Sequence, residues 1–325
     1  MMGKVDKRVE KFNQLVTEYK SCTDSKKKEK IKKSIEKMKK KYNEVVVFPA
    51  EYNFLRDLQK AFGKVPIIGN RDHLYNSFEA KDGYIIHIDF SNVISNALEK
   101  QKPSIKALKR YMQVLYRSLP HSIQFLPYLD SISINKMLIQ AIPQRFLELP
   151  QLGELVFSGT DIKEVPRSLG KLKKLEYLSI TNNSNLAKLP ENIGDLRNLK
   201  VLNINGGKLR SLPTSITSLD SLVYLGITNN NLDDLPSGFG NLSSLQWLDL
   251  RGNRLAKARE NIQDLRKLRK LKGFSLSYQQ RGQTQMEREL ELRDWTTQKD
   301  IEEVSNRSLE ALRLSLKSKR LKIIA

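Results

Sequence analysis

The sequence predicts an α/β solenoid of six to seven stacked repeats, with helical segments at both ends. Two observations lead to this fold class: apolar pairs spaced as L-x-L recur every 23, 23, 24, 23 and 23 residues, and a proline recurs at the same spacing. The pairs are Ile132/Ile134, Leu155/Phe157, Leu178/Ile180, Leu202/Ile204, Leu225/Ile227 and Leu248/Leu250. The prolines are Pro120, Pro143, Pro166, Pro190, Pro213 and Pro236. A fixed period of this length is typical of stacked structural units.

Each part of the repeat predicts one element. L-x-L alternation is typical of a strand with one buried face. The proline restricts φ where the chain leaves that strand. Three apolar residues then follow at three-residue intervals, as in Ile193, Leu196 and Leu199, which suits a 3₁₀ turn with one apolar edge. Because no single unit can bury both apolar faces, neighbouring units are expected to stack.

The full unit, L-x-x-L-x-L-x-x-N-x-L-x-x-L-P-x-x-I-x-x-L-x-x, resembles the leucine-rich repeat family in its 23-residue Leu-Pro class, over about residues 120–271. The resemblance implies a solenoid whose parallel sheet lines the concave side. It also implies a ladder of asparagines that bond to turn backbone groups. The ladder position is occupied by Met137, Thr160, Asn183, Gly207, Asn230 and Asn253. We expect the ladder to be weak near Met137 and Gly207, because only an amide supplies both donors and an acceptor.

Four domains are expected along the chain. Residues 1–45 predict a basic hairpin of two amphipathic helices within 4–43, with Ser25 as the N-cap of the second. Residues 46–119 predict a mixed α/β N-terminal cap, with strands at VVVFP and GYIIHIDF and helices at 51–62 and 104–118. The solenoid spans 120–278 and ends in a strand within GFSLSY. Residues 279–325 predict a helical C-terminal cap or docking segment, with helices at 284–293 and 298–319.

The charge lies mainly at the two ends of a chain whose formal net charge is +21. Residues 1–45 contain 15 Lys and Arg against 7 Asp and Glu, and residues 259–325 contain 16 against 10. Ten lysines fall within 26–41, which suits either a solvated helix face or contact with an acidic protein or nucleic acid. Neither end contains basic residues interleaved with aromatics or a known nucleic-acid-reading motif.

The sequence does not indicate an enzyme. It lacks a G-x-x-x-x-G-K-[ST] phosphate loop and the G-x-G-x-x-G, H-E-x-x-H and G-x-S-x-G motifs, and neither a cofactor nor a metal site is expected. Cys22-Thr23-Asp24 matches the catalytic Cys-x-Asp of bacterial leucine-rich-repeat ubiquitin ligases. In those ligases the motif belongs to a large helical domain after the repeats, so we interpret Cys22 as a turn residue.

The outward positions of the strands are the candidate binding surface, since they alternate with the buried positions. Large aromatics recur before the apolar pair, and small polar residues surround them. Tyr, Trp and Arg often anchor protein interfaces, and we expect this aromatic column to be exposed. The predicted partner-binding residues are Tyr177, Tyr224, Trp247, Thr181, Asn203, Asn205, Thr228, Asp249 and Arg251.

The resulting hypothesis is a non-enzymatic scaffold or adaptor that binds a protein or peptide on the concave face. The alternative is a nucleic-acid-binding protein that uses the lysine-rich hairpin and the basic C-terminal segments. No stretch approaches the ~18 consecutive apolar residues of a membrane-spanning helix. The charged N-terminus lacks a signal-peptide core and the chain has one cysteine, so we expect a cytoplasmic protein, with export by a non-cleaved signal left open.

Overall fold

The computed structural model describes residues 7–42, 45–47, 49–62, 78–81, 84–90, 121–136, 139–255 and 261–275. The chain divides into two compact units, Met1–Leu129 and Asp130–Ala325. The predicted helices at 104–118, 284–293 and 298–319 lie outside the described residues, as does Met137 of the ladder. The finer division into four domains stays a prediction.

The first unit begins with two helices, α1 (Lys7–Ser21) and α2 (Ser25–Glu36). They pack against each other through Phe12, Ile31 and Ile35, which form one buried cluster. These residues follow the four- and three-residue spacing that predicted two amphipathic helices, because that spacing places apolar side chains on one face. The prediction of two helices in this segment is therefore confirmed.

The ends of α2 differ from the prediction. Its N-cap is Asp24 rather than Ser25: the Asp24 carboxylate accepts a hydrogen bond from the Lys27 backbone N–H at 2.8 Å, and Ser25 is already helical. The helix also ends at Glu36, whereas the apolar spacing continued to Tyr42. Lys40–Tyr42 instead form strand β1, which pairs antiparallel with β2 (Val45–Val47). Strand pairing outweighs the helical period at this point.

The rest of the first unit contains helix α3 (Pro49–Phe62), the antiparallel strands β3 (Phe78–Lys81) and β4 (Tyr84–Asp89), and a 3₁₀ helix at His121–Phe125. The Tyr84 ring joins these elements to the helical pair. Its centroid lies 6.0 Å from that of Phe12 in α1 and 4.5 Å from that of Tyr128, in an edge-on contact. The predicted strands at VVVFP and GYIIHIDF and the helix at 51–62 are thus present.

The second unit is built on seven parallel strands that pair in sequence order. They are β5 (Ser131–Asn135), β6 (Glu154–Ser158), β7 (Tyr177–Thr181), β8 (Val201–Asn205), β9 (Tyr224–Gly226), β10 (Trp247–Asp249) and β11 (Gly273–Ser275). Equivalent repeat positions pair directly, as Leu155 does with Leu178. The last strand lies within the predicted GFSLSY segment.

A 3₁₀ helix follows most of the repeated prolines, as the sequence predicted. In four repeats the proline is the N-cap residue, as Pro190 is for Glu191–Asp195. The apolar edge at Ile193, Leu196 and Leu199 is completely buried. The 3₁₀ helices are Gln144–Glu148, Arg167–Lys171, Glu191–Asp195, Thr214–Ser218, Phe239–Asn241 and Asn261–Lys267. Among the described residues, no helix has the length and apolarity needed to cross a bilayer.

Candidate protein-binding face of the parallel sheet

The candidate site is the strand face, which we define as the outward-pointing side chains of β5–β10 and the residues that directly follow β9 and β10. Strand pairing aligns these side chains in columns. Tyr177 pairs with Val201, Val201 with Tyr224, and Tyr224 with Trp247, so the predicted aromatic residues share one column. The middle column aligns Asn203, Gly226 and Asp249.

The aromatic column is buried, and not exposed as the sequence interpretation expected. Tyr177 and Tyr224 are 5% and 4% exposed, and with Val201 they form a hydrophobic cluster against which Val156 and Trp247 pack. Adjacent strands lie about 4.8 Å apart, so large side chains in one column contact each other sideways. Only Trp247 at the β10 end is half-buried.

Gly226 determines how the Tyr224 ring lies. A Cβ at residue 226 would come within 2.8 Å of Tyr224 Cε1 and 3.0 Å of its hydroxyl oxygen. The ring therefore occupies the space above the backbone of its own strand, which only a glycine leaves open. The glycine in the predicted row of small residues thus makes room for this ring.

The accessible part of the strand face is mainly polar. Thr181, Asn203, Asn205 and Arg251 are half-buried, whereas Thr228 and Asp249 are buried. Thr181 and Asn205 pair directly across β7 and β8. Of the nine predicted residues, the five that remain partly accessible are therefore Trp247, Thr181, Asn203, Asn205 and Arg251.

Asp249 and Arg251 form one charged group at the β10 end. Arg251 donates from Nε to Asp249 Oδ1 at 2.8 Å and from Nη2 to Oδ2 at 2.6 Å, and its backbone N–H donates to Oδ1 at 3.2 Å. A two-point pair of this kind holds the planar guanidinium in one orientation. The two hydrogen bonds fix the orientation of both side chains beside Trp247. Because the two charges neutralise each other, the pair presents a polar group without net charge.

One residue that the sequence interpretation did not include extends this polar row. Asn229, in the turn after β9, donates from Nδ2 to Asn205 Oδ1 at 3.1 Å. Its φ of 52° places it in the left-handed region, which asparagine tolerates better than most residues. The sequence signal was the Asn run at 229–231, but its contact with Asn205, 24 residues away, required the stacked repeats.

The asparagine ladder lies inside the turns and is structural. Asn230 accepts from Leu209 N–H at 3.1 Å through Oδ1 and donates through Nδ2 to the carbonyls of Ile204 and Thr228. Asn183 and Asn253 make similar bonds in their turns, and Thr160 donates its hydroxyl to Asn183. At Gly207 the ladder position has no amide, and a Cβ there would lie 2.6 Å from Asn230 Oδ1. The ladder position that was predicted to be weak, Gly207, therefore leaves room for the side-chain amide of Asn230.

The Cys22 region has a structural role in the helical pair. The Cys22 thiol donates to the Asp24 carbonyl at 3.4 Å, and the Asp24 carboxylate is occupied as the N-cap of α2. The half-buried Cys22 side chain packs at the margin of the Phe12 cluster. Within the part of the chain that the structure describes, no three His, Cys, Asp or Glu residues are grouped so that they could hold a metal ion.

Comparison with protein families agrees with this geometry. A family model described as a leucine-rich repeat region matches residues 166–304. The chain therefore contains a leucine-rich repeat region. Its seven-stranded parallel sheet and alternating 3₁₀ segments are the leucine-rich repeat solenoid that the 23-residue period predicted.

Similar proteins share only part of their length with this leucine-rich repeat chain. Adenylate cyclase of Schizosaccharomyces pombe is 31% identical over 87 residues, which are 27% of this chain and 5% of the cyclase. A leucine-rich repeat protein of Leptospira interrogans is 31% identical with a TM-score of 0.46, over 49% of this chain and 40% of that one. The ectodomain of the Arabidopsis thaliana receptor kinase GASSHO1/SCHENGEN3, solved with CASPARIAN STRIP INTEGRITY FACTOR 2, is 29% identical with a TM-score of 0.42, over 50% and 20%.

Proposed function

We propose that this leucine-rich repeat protein is a non-enzymatic scaffold that binds a protein or peptide through the strand face of β7–β10. The observation that supports this most directly is the half-buried Trp247 beside the oriented Asp249–Arg251 pair and a row of accessible amides and hydroxyls. Aromatic and Arg side chains surrounded by small polar residues suit a partner that approaches closely.

The dimensions of the face favour an extended segment of a partner. Columns on β7 to β10 span three strand spacings, or about 14 Å at about 4.8 Å each. About four residues of extended chain cover that distance at roughly 3.3 Å per residue. Asn203 and Asn205 offer amide groups to a partner backbone, and Trp247 offers the apolar contact at the end of the face.

The buried tyrosines have a supporting role in this proposal. Tyr177 and Tyr224 pack beside Val201 and Trp247 in the same column, while Trp247 and the polar row make the contact. A rigid face loses little conformational freedom on binding, which favours affinity. The single cysteine, Cys22, suits a reducing compartment, and we propose that the protein acts in the cytoplasm.

The test compares a changed strand face with a matched change on the 3₁₀ side of the repeats. The face variant is Asn203→Arg with Asn205→Arg. The control is Asn198→Arg with Asn241→Arg, which adds the same charge at two exposed positions in the other segments of the repeat. Proteins captured by the wild-type chain are purified, and their affinity is measured against all three forms.

We expect the face variant to lower the affinity for a true partner by about 30-fold or more, which corresponds to about 2 kcal/mol of binding free energy. The control is expected to change this affinity less than twofold. A partner that binds the face variant normally and loses affinity for the control overturns the strand-face assignment. Far-UV circular dichroism verifies that both variants keep the fold.

A further inference from the structure

The helical pair of the first unit contains a groove of about 600 Å³ that the proposed scaffold function does not use. Its described lining has two kinds of residue. Four cations line it: Arg8 and Lys11 from α1, and Lys37 and Lys39 from the segment that directly follows α2. The remaining lining residues are Leu15, Ser34, Met38 and Pro49.

The hydrophobic contact between the helices brings these cations together. Phe12, Ile31 and Ile35 are buried where α1 meets α2, and Leu15 and Met38 pack at the margin of that cluster. Arg8 and Lys11 are one helical turn apart, so they project from the same side of α1. The sequence pointed to the lysines at 26–41 as a possible contact for an acidic partner, but of these only Lys37 and Lys39 are among the described residues that line the groove. Arg8 and Lys11 were not part of that signal.

The groove is electropositive. Its described lining contains four cations and no acidic residue, although Lys39 forms an ion pair at 2.5 Å with Glu36, which does not line the groove. Lys37 directly follows α2, where the negative end of the helix dipole favours a cation. Pro49 is the first residue of the 14-residue helix α3, so the positive end of that helix is at the same groove. Close like charges repel, and a bound anion relieves that repulsion.

The chemistry of the lining selects phosphate over a neutral ligand. Lys and Arg are the side chains that recognise phosphate most often. The Ser34 hydroxyl donates to the Lys30 carbonyl at 3.1 Å within α2, so the ammonium groups of Lys11 and Lys37 are the donors that this proposal assigns to the ligand. Leu15, Met38 and Pro49 add an apolar side to the groove, and its volume is in the range of small-molecule sites.

We propose that this groove binds a small phosphorylated molecule, with Lys11 and Lys37 contacting its phosphate groups and Leu15 and Met38 contacting its apolar part. A compact ligand fits a groove whose cations converge from two helices. An extended nucleic acid would instead use the exposed lysines along α2, such as Lys26, Lys30 and Lys32, which do not line the groove.

The experiment uses the full chain and inorganic tripolyphosphate as the probe, measured by isothermal titration calorimetry at 50 and 150 mM salt. The groove variant is Lys11→Ala with Lys37→Ala. The matched control, Lys26→Ala with Lys32→Ala, removes the same charge from exposed positions outside the groove. A third variant, Lys11→Arg with Lys37→Arg, keeps the charge, and circular dichroism monitors the fold of all variants.

We expect the groove variant to weaken tripolyphosphate binding at least tenfold, the control less than twofold, and the arginine variant less than threefold. Absence of binding to the wild-type chain at 50 mM salt overturns the proposal. Equal weakening by the groove and control variants also overturns it, because that result indicates diffuse attraction. A single-stranded oligonucleotide is titrated in the same way. If it binds more tightly than tripolyphosphate and loses affinity mainly with the control variant, the exposed lysines of α2 bind nucleic acid and the proposal is overturned.

Discussion

The two units of the molecule differ in the hydrogen bonding of their buried polar side chains. In the repeat unit, Asn183, Asn230 and Asn253 are almost completely buried, and both ends of each amide are hydrogen-bonded. In the first unit, Glu51 in the first turn of α3 is fully buried, and neither carboxylate oxygen has a hydrogen-bond partner among the residues that the structure describes. Burial raises the pKa of Glu51 from 4.5 to about 8.

The difference reflects how each unit supplies partners. The repeat brings equivalent backbone carbonyls and N–H groups to the same place in successive turns, so an amide at the ladder position, as at Asn183, Asn230 and Asn253, satisfies them. The first unit has no such period, and its helices and strands meet through apolar contacts around Phe12 and Tyr84. A buried carboxyl there avoids a large desolvation cost by staying protonated. Four substitutions test and sharpen this contrast.

The largest effect is expected for Asn230→Ala in the repeat unit. The change removes three buried hydrogen bonds and leaves the Ile204 and Thr228 carbonyls and the Leu209 N–H without partners. We expect a loss of about 4 kcal/mol in the free energy of unfolding. Urea unfolding followed by tryptophan fluorescence measures it, because Trp247 lies in β10 of this unit. The control Asn198→Ala, at an exposed position, is expected to cost less than about 1 kcal/mol; equal losses would contradict a special role for the ladder.

Glu51→Gln is expected to stabilise the first unit by about 3 kcal/mol at pH 7. The folded-state pKa of about 8 lies above the unfolded value of 4.5, so folding favours the protonated carboxyl. The contribution of the protonated Glu51 carboxyl to the stability of the folded state is complete below pH 4.5 and is lost as the pH rises through about 8. The neutral Gln removes this dependence, and hydrogen exchange of α3 at pH 5 and pH 8 measures the difference. The exposed Glu10→Gln is the control; a pH-independent effect of Glu51→Gln would show that desolvation is not the cause.

Gly226→Ala is expected to destabilise the repeat unit by about 2 kcal/mol. The new methyl group would lie 2.8 Å from the Tyr224 ring and 2.9 Å from Asn203 Oδ1, so the ring must move. The same urea titration measures the loss, and increased quenching of tyrosine fluorescence by iodide reports the displaced ring. Ser179→Ala, two strands away in the same middle column, is the control. An unchanged ring environment would show that Tyr224 does not depend on the missing Cβ.

The smallest effect is expected at the start of α2. Asp24→Ala removes the carboxylate that accepts from Lys27 N–H and is expected to cost about 1 kcal/mol. Ser25→Ala is expected to be nearly neutral, because Ser25 is inside the helix. Hydrogen exchange of the first turn of α2 measures both variants. A larger loss of stability from Ser25→Ala than from Asp24→Ala would support Ser25 as the N-cap, as the sequence predicted.

Much of the repeat unit could be predicted because its information is local and repeated. The L-x-L spacing predicts the burial of residues such as Leu178 and Ile180, and in four repeats the proline is the N-cap of a 3₁₀ segment. In the first unit, the apolar spacing predicted α1 and α2 but placed the cap one residue late and continued α2 to Tyr42. Those details depend on which side chain reaches an N–H group and on a strand partner, and neither is visible in a local period.

The candidate site divides in the same way. The column that contains Tyr177, Val201, Tyr224 and Trp247 follows from the repeat register and is confirmed by strand pairing. Its exposure could not be read from the sequence, because alternation shows which side a residue points to and not what packs beside it. The groove at Lys11 and Lys37 is a similar case, since it exists only when two helices meet.

The order of residues in this chain was sufficient to specify a solenoid, its strand register, its proline-initiated turns and the positions of its ladder asparagines, because those properties repeat over about 23 residues. Three-dimensional packing was needed to place Tyr177 and Tyr224 in a buried cluster, to pair Asp249 with Arg251, and to bury the Glu51 carboxyl in the first turn of α3. Such contacts depend on side-chain volume and on neighbours from other segments, and a periodic pattern contains neither.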